Sequence, residues 1–507
     1  MEISNLLQPR DIKEKTYREV NFISVNDQNQ GQYESGTVTF DTMNSKSHFS
    51  VLSDSYITLT GSIDNSTENA KYAIKNSILS LIQGVKVQSS SGSSILNEIQ
   101  GSTPIVANLK LMLDSALDFR DANELHFSGH DKHISANVMS DQSVVGGASS
   151  TLSDGVPTID PLRNPALANR IVAWTNCSYK VQVGSTAVYR QPFLVYIPLK
   201  FIHDWFAQMN FPMNNMPLEI TFNIAGVAGF SSMCPFTCPK AAEHISLGDA
   251  YIPSNPPVPA LEGASTAAAK PLITLGGSVR ERGFTTGVRL FLKTVKMHQE
   301  DVNKIAALTT KGFTKTVHFN SSVFHRIQLP SSGQTTYSIS SQQIGAAFVR
   351  PQRVWVLPVE RGTLSSEANS FPAVISAKGQ YMTNFNLNMG GTAFYDKNIN
   401  SQYEFYRLLR EQMVGEGQSM LWNTPITYTE FLNGINPYCF DVSRSPLVDT
   451  NAPVDITLTA DFYSKGGANL PDIDLLVIVE KRETHGMHFS TGGTVHTTVQ
   501  GDVSVTV

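Results

Sequence analysis

Charge is what this sequence has least of. Asp, Glu, Lys and Arg make up 16% of its 507 residues, against roughly 25% in an ordinary soluble protein. The 38 basic and 43 acidic residues leave a net charge of −5, and the basic residues gather into no tail; "VRERG" (Val279 to Gly283) and "RPQR" (Arg350 to Arg353) are isolated pairs. That balance argues against direct packaging of nucleic acid. Four cysteines, Cys177, Cys234, Cys238 and Cys439, are too few for a disulfide scaffold. The opening "MEISNLLQPRDIKEKTYREV" lacks the apolar run of a signal peptide. No stretch approaches the ~18 apolar residues that cross a bilayer. These absences describe a soluble protein of a reducing compartment without a membrane span. On that reading the glycosylation sequons at Asn65, Asn176 and Asn320 are coincidental.

What fills the deficit is Ser, Thr, Asn and Gln, which suits a β-rich protein whose surface is partly covered by neighbours. Hydrophobic residues reach 41%, enough for sizeable interiors. The chain is too long for a single ordinary core, so two domains are expected. The stretch "PSNPPVPALEGASTAAAKPL" (Pro253 to Leu272) is the clearest linker. Its prolines remove backbone donors and fix φ, so neither helix nor central strand runs through it. The expected division is 1–252, a linker at 253–272, and 273–507.

Both halves write the same phrases. "NMPLEITFNI" (Asn215 to Ile224) is echoed by "NAPVDITLTADF" (Asn451 to Phe462). In each, a Pro precedes strict alternation of apolar and polar residues, the pattern of a strand with one buried face. "RQPFLVYIPL" (Arg190 to Leu199) and "INPYCFDVS" (Ile435 to Ser443) share a Pro-aromatic start. "LIQGVKVQSSSGSSILNEI" (Leu81 to Ile99) and "YMTNFNLNMGGTAFYDKNI" (Tyr381 to Ile399) both read as strand, Gly-containing turn, strand.

Each hairpin runs into a short helix. The first has Thr103 as cap, Pro104 in its first turn, and Ile105, Leu109 and Leu113 on one face. The second opens on the capping-box pattern Ser401-Gln402-Tyr403-Glu404, with Phe405, Leu408 and Leu409 inward. Val85 and Phe385, Val87 and Leu387, and Leu109 and Leu409 all differ by 300 (385 − 85), whereas the paired prolines differ by 453 − 217 = 236. The first half thus carries about 60 extra residues (300 − 236), visible in the polar stretch from Asp114 to Ala168. A stretch that long is a functional excursion or a disordered segment rather than a mere connection. Short strands, one small helix per half and Pro/Gly-rich turns predict an all-β fold of two tandem sandwiches such as jelly rolls.

The order of these phrases carries a resemblance. "YIPLKFIHDWFAQMNFPMNNMPLEITF" (Tyr196 to Phe222), and "PYCFDVSRSP" (Pro437 to Pro446) followed by "VDITLTADF", are similar to the double jelly-roll major capsid proteins of virophages, polinton-like viruses and giant DNA viruses. The resemblance implies two tandem jelly rolls, and homotrimers whose six rolls form a pseudo-hexameric block. It implies an icosahedral shell with penton and minor capsid proteins as further partners. Location in the virion follows, after synthesis in the host cytoplasm or virus factory. The excursion at 114–168 would then be an outward tower. No enzymatic activity and no cofactor are implied.

Chemistry of other kinds was weighed against plainer readings. His126, His130 and His133, with Asp131 beside them, have spacing that could hold a metal. Solvated loop histidines or a subunit contact are the preferred reading. Cys234 and Cys238 lack the second Cys or His pair a zinc site needs, since only His244 is near. They read as loop thiols. "GEGQ" (Gly415 to Gln418) and "LGGSVRERG" (Leu275 to Gly283) lack the Gly-Lys-Ser/Thr ending of a phosphate loop. Asp472 and Asp474 share a strand face and could suggest paired acid catalysts, but they read better as the entry to the core strand Leu475 to Val479. Trp174, Trp205, Trp355 and Trp422 are expected in the core. A carbohydrate-binding or carbohydrate-active β-sandwich is the alternative function; the sequence concentrates no aromatic cluster around a carboxylate pair. No catalytic, cofactor or metal residue is assigned.

Overall fold

The computed structural model describes residues 17–28, 32–33, 36–42, 49–65, 73–74, 78–89, 94–98, 103–114, 179–183, 186–214, 217–224, 236–237, 272–276, 288–330, 333–361, 380–413, 428–432, 437–443, 445–447, 452–464, 469–470, 472–490 and 493–498. The Pro-rich stretch at 253–271, the excursion at 115–168 and residues Trp174, Cys177 and Trp422 lie outside them.

Sixteen strands make two copies of one plan. The first copy has β1 (Tyr17–Asn26), β2 (Gly36–Asp41), β3 (Phe49–Asn65), β4 (Ile82–Ser89), β5 (Ser94–Glu98), β6 (Thr186–Pro198), β7 (Leu218–Ile224) and β8 (Arg289–Met297). The second has β9 (Phe313–Leu329), β10 (Thr336–Phe348), β11 (Pro351–Glu360), β12 (Gln380–Met389), β13 (Thr392–Ala393), β14 (Tyr438–Asp441), β15 (Val454–Ser464) and β16 (Ile473–Ser490). One sheet of the first copy runs β1-β8-β3-β6 and the other β2-β7-β4-β5; the second copy repeats them as β9-β16-β11-β14 and β10-β15-β12-β13. Every pairing is antiparallel, and consecutive strands alternate between facing sheets except at the β4-β5 and β12-β13 hairpins, which stay within one sheet. This is a jelly roll, built twice.

The echoed strands sit in the same place in each copy. In β7 every second residue, from Leu218 to Ile224, is buried. Ile456, Leu458, Ala460 and Phe462 of β15 do the same. Each is flanked by the strand at the 300-residue offset: Ile220 pairs with Val87, and Leu458 with Leu387. The two registers differ by two residues, because Ile456, the counterpart of Ile220, faces Met389 instead of Leu387. A shift of two keeps every apolar side chain on the core side, whereas a shift of one would turn them all outward. The duplicate strands could slide by two and not by one.

The sequence reading placed the joint between halves at 253–272, but β8, the strand that completes the first roll, comes after it. Its residues pair with β1 along one edge (Val20 with Val295) and with β3 along the other (Ile57 with Leu290). Leu272–Gly276 also adds to β3. The sheets change hands at helix α3 (Gln299–Thr310). It starts with Glu300 and Asp301 at its positive end. It ends at Gly312, whose φ of +69° is the left-handed conformation that stops a helix. Val302 and Ile305 pack it onto Val51, Val295 and Met297.

The other helices follow the strands that end each hairpin: α1 (Thr103–Asp114) after β5 and α4 (Gln402–Met413) after β13. The capping box forms in α4. Ser401 Oγ accepts from Tyr403 N at 3.2 Å, and Glu404 Oε2 accepts from Ser401 N at 3.3 Å. The turn between β12 and β13 is Gly390-Gly391, with φ of +56° and +83°, the mirror-image turn that tight hairpins need. Between them in the chain lies α2 (Asp204–Gln208), a single turn after β6.

Two apolar clusters fill the rolls, and each borrows from the other half. Val317, Phe319, Met487 and Phe489 of the second half belong to the first cluster. Ile105, Val106 and Leu109 of α1 belong to the second. Trp205 and Trp355 are fully buried. The rolls are therefore interlocked rather than strung on a tether. No helix among the described residues is long and apolar enough to cross a membrane.

Candidate functional site

A protein that works by holding a shape has its functional sites in its joints and faces. The joint between the rolls is the richest polar site among the described residues. It gathers the end of β5, helix α1 and the turn before α2 from the first half, with the middle of β9 and β16 from the second.

Glu98, the last residue of β5, is buried and accepts from Ser322 N at 2.6 Å and from Ser322 Oγ at 3.0 Å across the joint. His203 Nε2 lies 3.1 Å from the same carboxylate. His203 Nδ1 accepts from Trp205 N at 3.0 Å, so the ring proton sits on the nitrogen facing Glu98. Burial pushes the Glu98 carboxyl up, but the His203 ring N–H and the Ser322 hydrogen bonds outweigh it and hold the pKa below the ordinary value. Next to it, Asp204 Oδ2 accepts from Asn320 N at 2.9 Å.

A second crossing joins α1 to β16. Lys110 Nζ is 3.8 Å from Glu480 Oε1, which also accepts from Trp355 Nε1 at 3.2 Å. Burial works against the Lys110 ammonium, yet Glu480, Asp204 and Glu98 together hold its pKa above the ordinary value. A third cluster centres on Glu483, which takes hydrogen bonds from Ser321 Oγ at 2.6 Å and Lys481 Nζ at 2.8 Å, with His485 Nε2 at 3.6 Å. Burial raises the Glu483 carboxyl, but these donors prevail and lower it to about 2. Glu98, Lys110, His203, Asp204, Asn320 and Glu480 border a cavity of about 380 Å³ between the rolls. These are paired groups that fix one roll against the other.

His126, His130, His133, Cys234 and Cys238 lie outside the described residues. Among those described, no three His, Cys, Asp or Glu side chains converge as metal ligands. Cys439 is a buried free thiol, its pKa raised well above the ordinary value by burial. Asp474 is buried and bound by two arginines, Arg326 Nε at 3.0 Å and Arg361 Nε at 3.1 Å; Arg361 Nη1 also holds Asp472 at 3.0 Å. That arrangement brings β9 and the end of β11 to β16 and satisfies both acids structurally. Sequence reasoning missed the joint. Its signal was a lone acid directly after an apolar run, Glu98 after "SILN" and Glu480 after "LLVIV", since buried acids are nearly always paired.

The faces differ between copies. In β9-β16-β11-β14, Phe440 stacks on Phe385 of the facing sheet at 4.1 Å, so Val354 and Val479, paired in its row, point inward. Trp355, Ile478 and Cys439 point outward, the side on which Lys110 of α1 reaches Glu480. In β1-β8-β3-β6, Ile57, Leu290 and Ile197 point inward. Phe22, Tyr56, Phe291 and Tyr196 point outward, with Tyr56 at 5.4, 4.9 and 4.4 Å from the other three rings in that order. Val20, Phe22, Leu194 and Tyr196 on this face are each about half exposed.

No protein-family profile and no curated protein sequence matches the chain. Solved structures do. A chain in the structure of the Sputnik virophage is similar over 98% of this chain and 94% of its own, with a TM-score of 0.58 and 10% identity. The mavirus major capsid protein is similar over 97% of this chain and 92% of its own, with a TM-score of 0.53 and 10% identity. The likeness runs through both rolls and the joint between them, and the chain has the double jelly-roll fold that it shares with these two viral structures.

Proposed function

We propose that this chain is a major capsid protein, a structural subunit of an icosahedral virion rather than an enzyme. The observation that carries the reading is the doubled eight-strand plan with its two rolls locked side by side by Glu98, Ser322, Lys110 and Glu480. One chain then supplies two similar blocks at a fixed angle, and three copies supply six for a pseudo-hexameric capsomer. The first block runs through Met297 and the second starts at Phe313, with α3 between them. Low charge suits broad faces buried between like molecules, and permanent interfaces of this kind often exceed ~2,000 Å² in total. The mavirus protein, similar across nearly the whole chain, is a major capsid protein. Capsomers would meet one another, and penton and minor capsid proteins, in the virion shell.

Size-exclusion chromatography with light scattering tests this. A trimer of the 55.5 kDa chain gives a mass near 3 × 55.5 = 166.5 kDa. A chain that stays at 55.5 kDa at every concentration overturns the reading.

A further inference from the structure

We infer that the aromatic outer face of the β1-β8-β3-β6 sheet is the docking surface for the second roll of another copy of this chain, centred on helix α4. The inference rests on the assembly reading above and names the surface that carries it.

The starting observation is an asymmetry between duplicates. The outward side of the second roll's corresponding sheet carries Trp355 and Ile478, both buried. What lies against it is the first roll's own helix: Ile105, Val106 and Leu109 of α1 share their cluster, and Lys110 reaches Glu480. The same side of the first roll carries four stacked or tilted aromatic rings with Val20 and Leu194 at its edges; Val20, Phe22, Leu194 and Tyr196 are about half exposed, and among the described helices only α3 packs on this face, at its Val51, Val295 and Met297 end. Monomeric proteins rarely leave such a contiguous apolar patch in water, and aromatic residues are enriched in the buried centres of interfaces.

The covered face also identifies the occupant. Within one chain, the helix after the fifth strand of roll one meets the outer sheet of roll two through Lys110 and Glu480. The equivalent helix of roll two is α4, and the outer sheet it has not covered is that of roll one. In its own chain α4 packs chiefly on β12, β14 and α1 rather than on that sheet. In the next copy it meets that sheet. Such a contact joins unlike surfaces, so it repeats head to tail until the ring closes. The stripe of α4 that packs on its own roll is Phe405 and Leu409. Tyr403, 60% exposed, and the Arg407–Glu411 pair remain outward at four-residue spacing. Tyrosine and arginine are the side chains that best meet an aromatic face. Lys293 and Asp54, ion-paired on the same face, offer charge partners for Glu411 and Arg407.

The test uses the full chain with Leu194→Asp, Tyr196→Asp and Tyr403→Asp, and Leu194→Ser as a milder variant. All three positions are exposed, so circular dichroism and the urea midpoint should match wild type. Each Asp variant should weaken the oligomer at least ~30-fold, the loss of one central anchor, and shift the scattering mass toward 55.5 kDa on dilution. Leu194→Ser should give an intermediate shift. Leu194→Asp and Tyr196→Asp holding the wild-type mass at every dilution, beside an oligomeric wild type, overturn this surface and leave the assembly reading standing. A wild-type mass for Tyr403→Asp alone overturns the choice of α4. A monomeric wild type overturns the assembly reading itself, and this inference with it.

Discussion

Replacing Glu98 by alanine removes the acceptor for three donors at the joint: Ser322 N at 2.6 Å, Ser322 Oγ at 3.0 Å and His203 Nε2 at 3.1 Å. Each buried donor left without a partner costs about 1–3 kcal/mol. A simple sum would give roughly 3–9 kcal/mol, but the three share one carboxylate, and the adjoining cavity of about 380 Å³ is roomy enough for water to satisfy some of them. Breaking a buried pair from one side costs about 3–5 kcal/mol, and that is the expected loss for Glu98→Ala. Glu98→Gln keeps one carbonyl acceptor, turns the other into an amide donor that the Ser322 hydroxyl can accept, and removes the charge, so it should cost less, about 1–2 kcal/mol. Urea unfolding followed by tryptophan fluorescence measures both. Glu98→Ala within ~1 kcal/mol of wild type, below the cost of one orphaned buried donor, would refute the claim that this carboxylate locks the rolls.

Acid should weaken the second roll beside the joint, and the joint with it. Glu483 titrates near 2 in the fold against 4.5 ordinarily, so its contribution is complete above pH 4.5 and fades as pH falls toward 2; Glu98 is shifted in the same direction. The full Glu483 shift corresponds to at most about 3 kcal/mol, and Glu483→Gln should flatten stability against pH across that window. An unchanged profile contradicts the assignment. Leu109→Ala alters a first-half helix but empties a site in the second core, so it should cost about 2–5 kcal/mol. Hydrogen exchange should show the loss in β11 and β16; protection lost only in the first roll would contradict the interlocking. Cys439 should resist thiol reagents until the chain unfolds, since burial keeps it protonated. Mass spectrometry showing its labelling in native protein would argue against that environment.

The strands that repeat were legible because strict alternation leaves one workable facing. Leu218 to Ile224 and Val454 to Phe462 declared their buried sides, and the 300-residue offset placed their neighbours. The capping box at Ser401 and the Gly390-Gly391 turn were local chemistry, complete within a few residues. The ownership of β8 was not legible. "RLFLKTVKM" follows the Pro-rich stretch, and proline punctuates long loops as well as linkers. Its pairing with β1 and β3, as of Leu290 with Ile57 across 233 residues (290 − 57), shows where it belongs. The joint was hidden for the same reason. Glu98, Lys110, His203, Ser322 and Glu480 are far apart in sequence, and a side chain's partner across a fold leaves no periodic trace. The aromatic face is split over four strands, one ring from each, and reads as ordinary strand composition until the sheet assembles it.

Electron microscopy of the purified protein at assembling concentration tests the central claim most directly. Six similar lobes around a threefold axis, with the Tyr56 and Tyr196 face of each copy against α4 of the next, are the expected result. Particles of two lobes, or rings in which that aromatic face looks out into solvent, would contradict it.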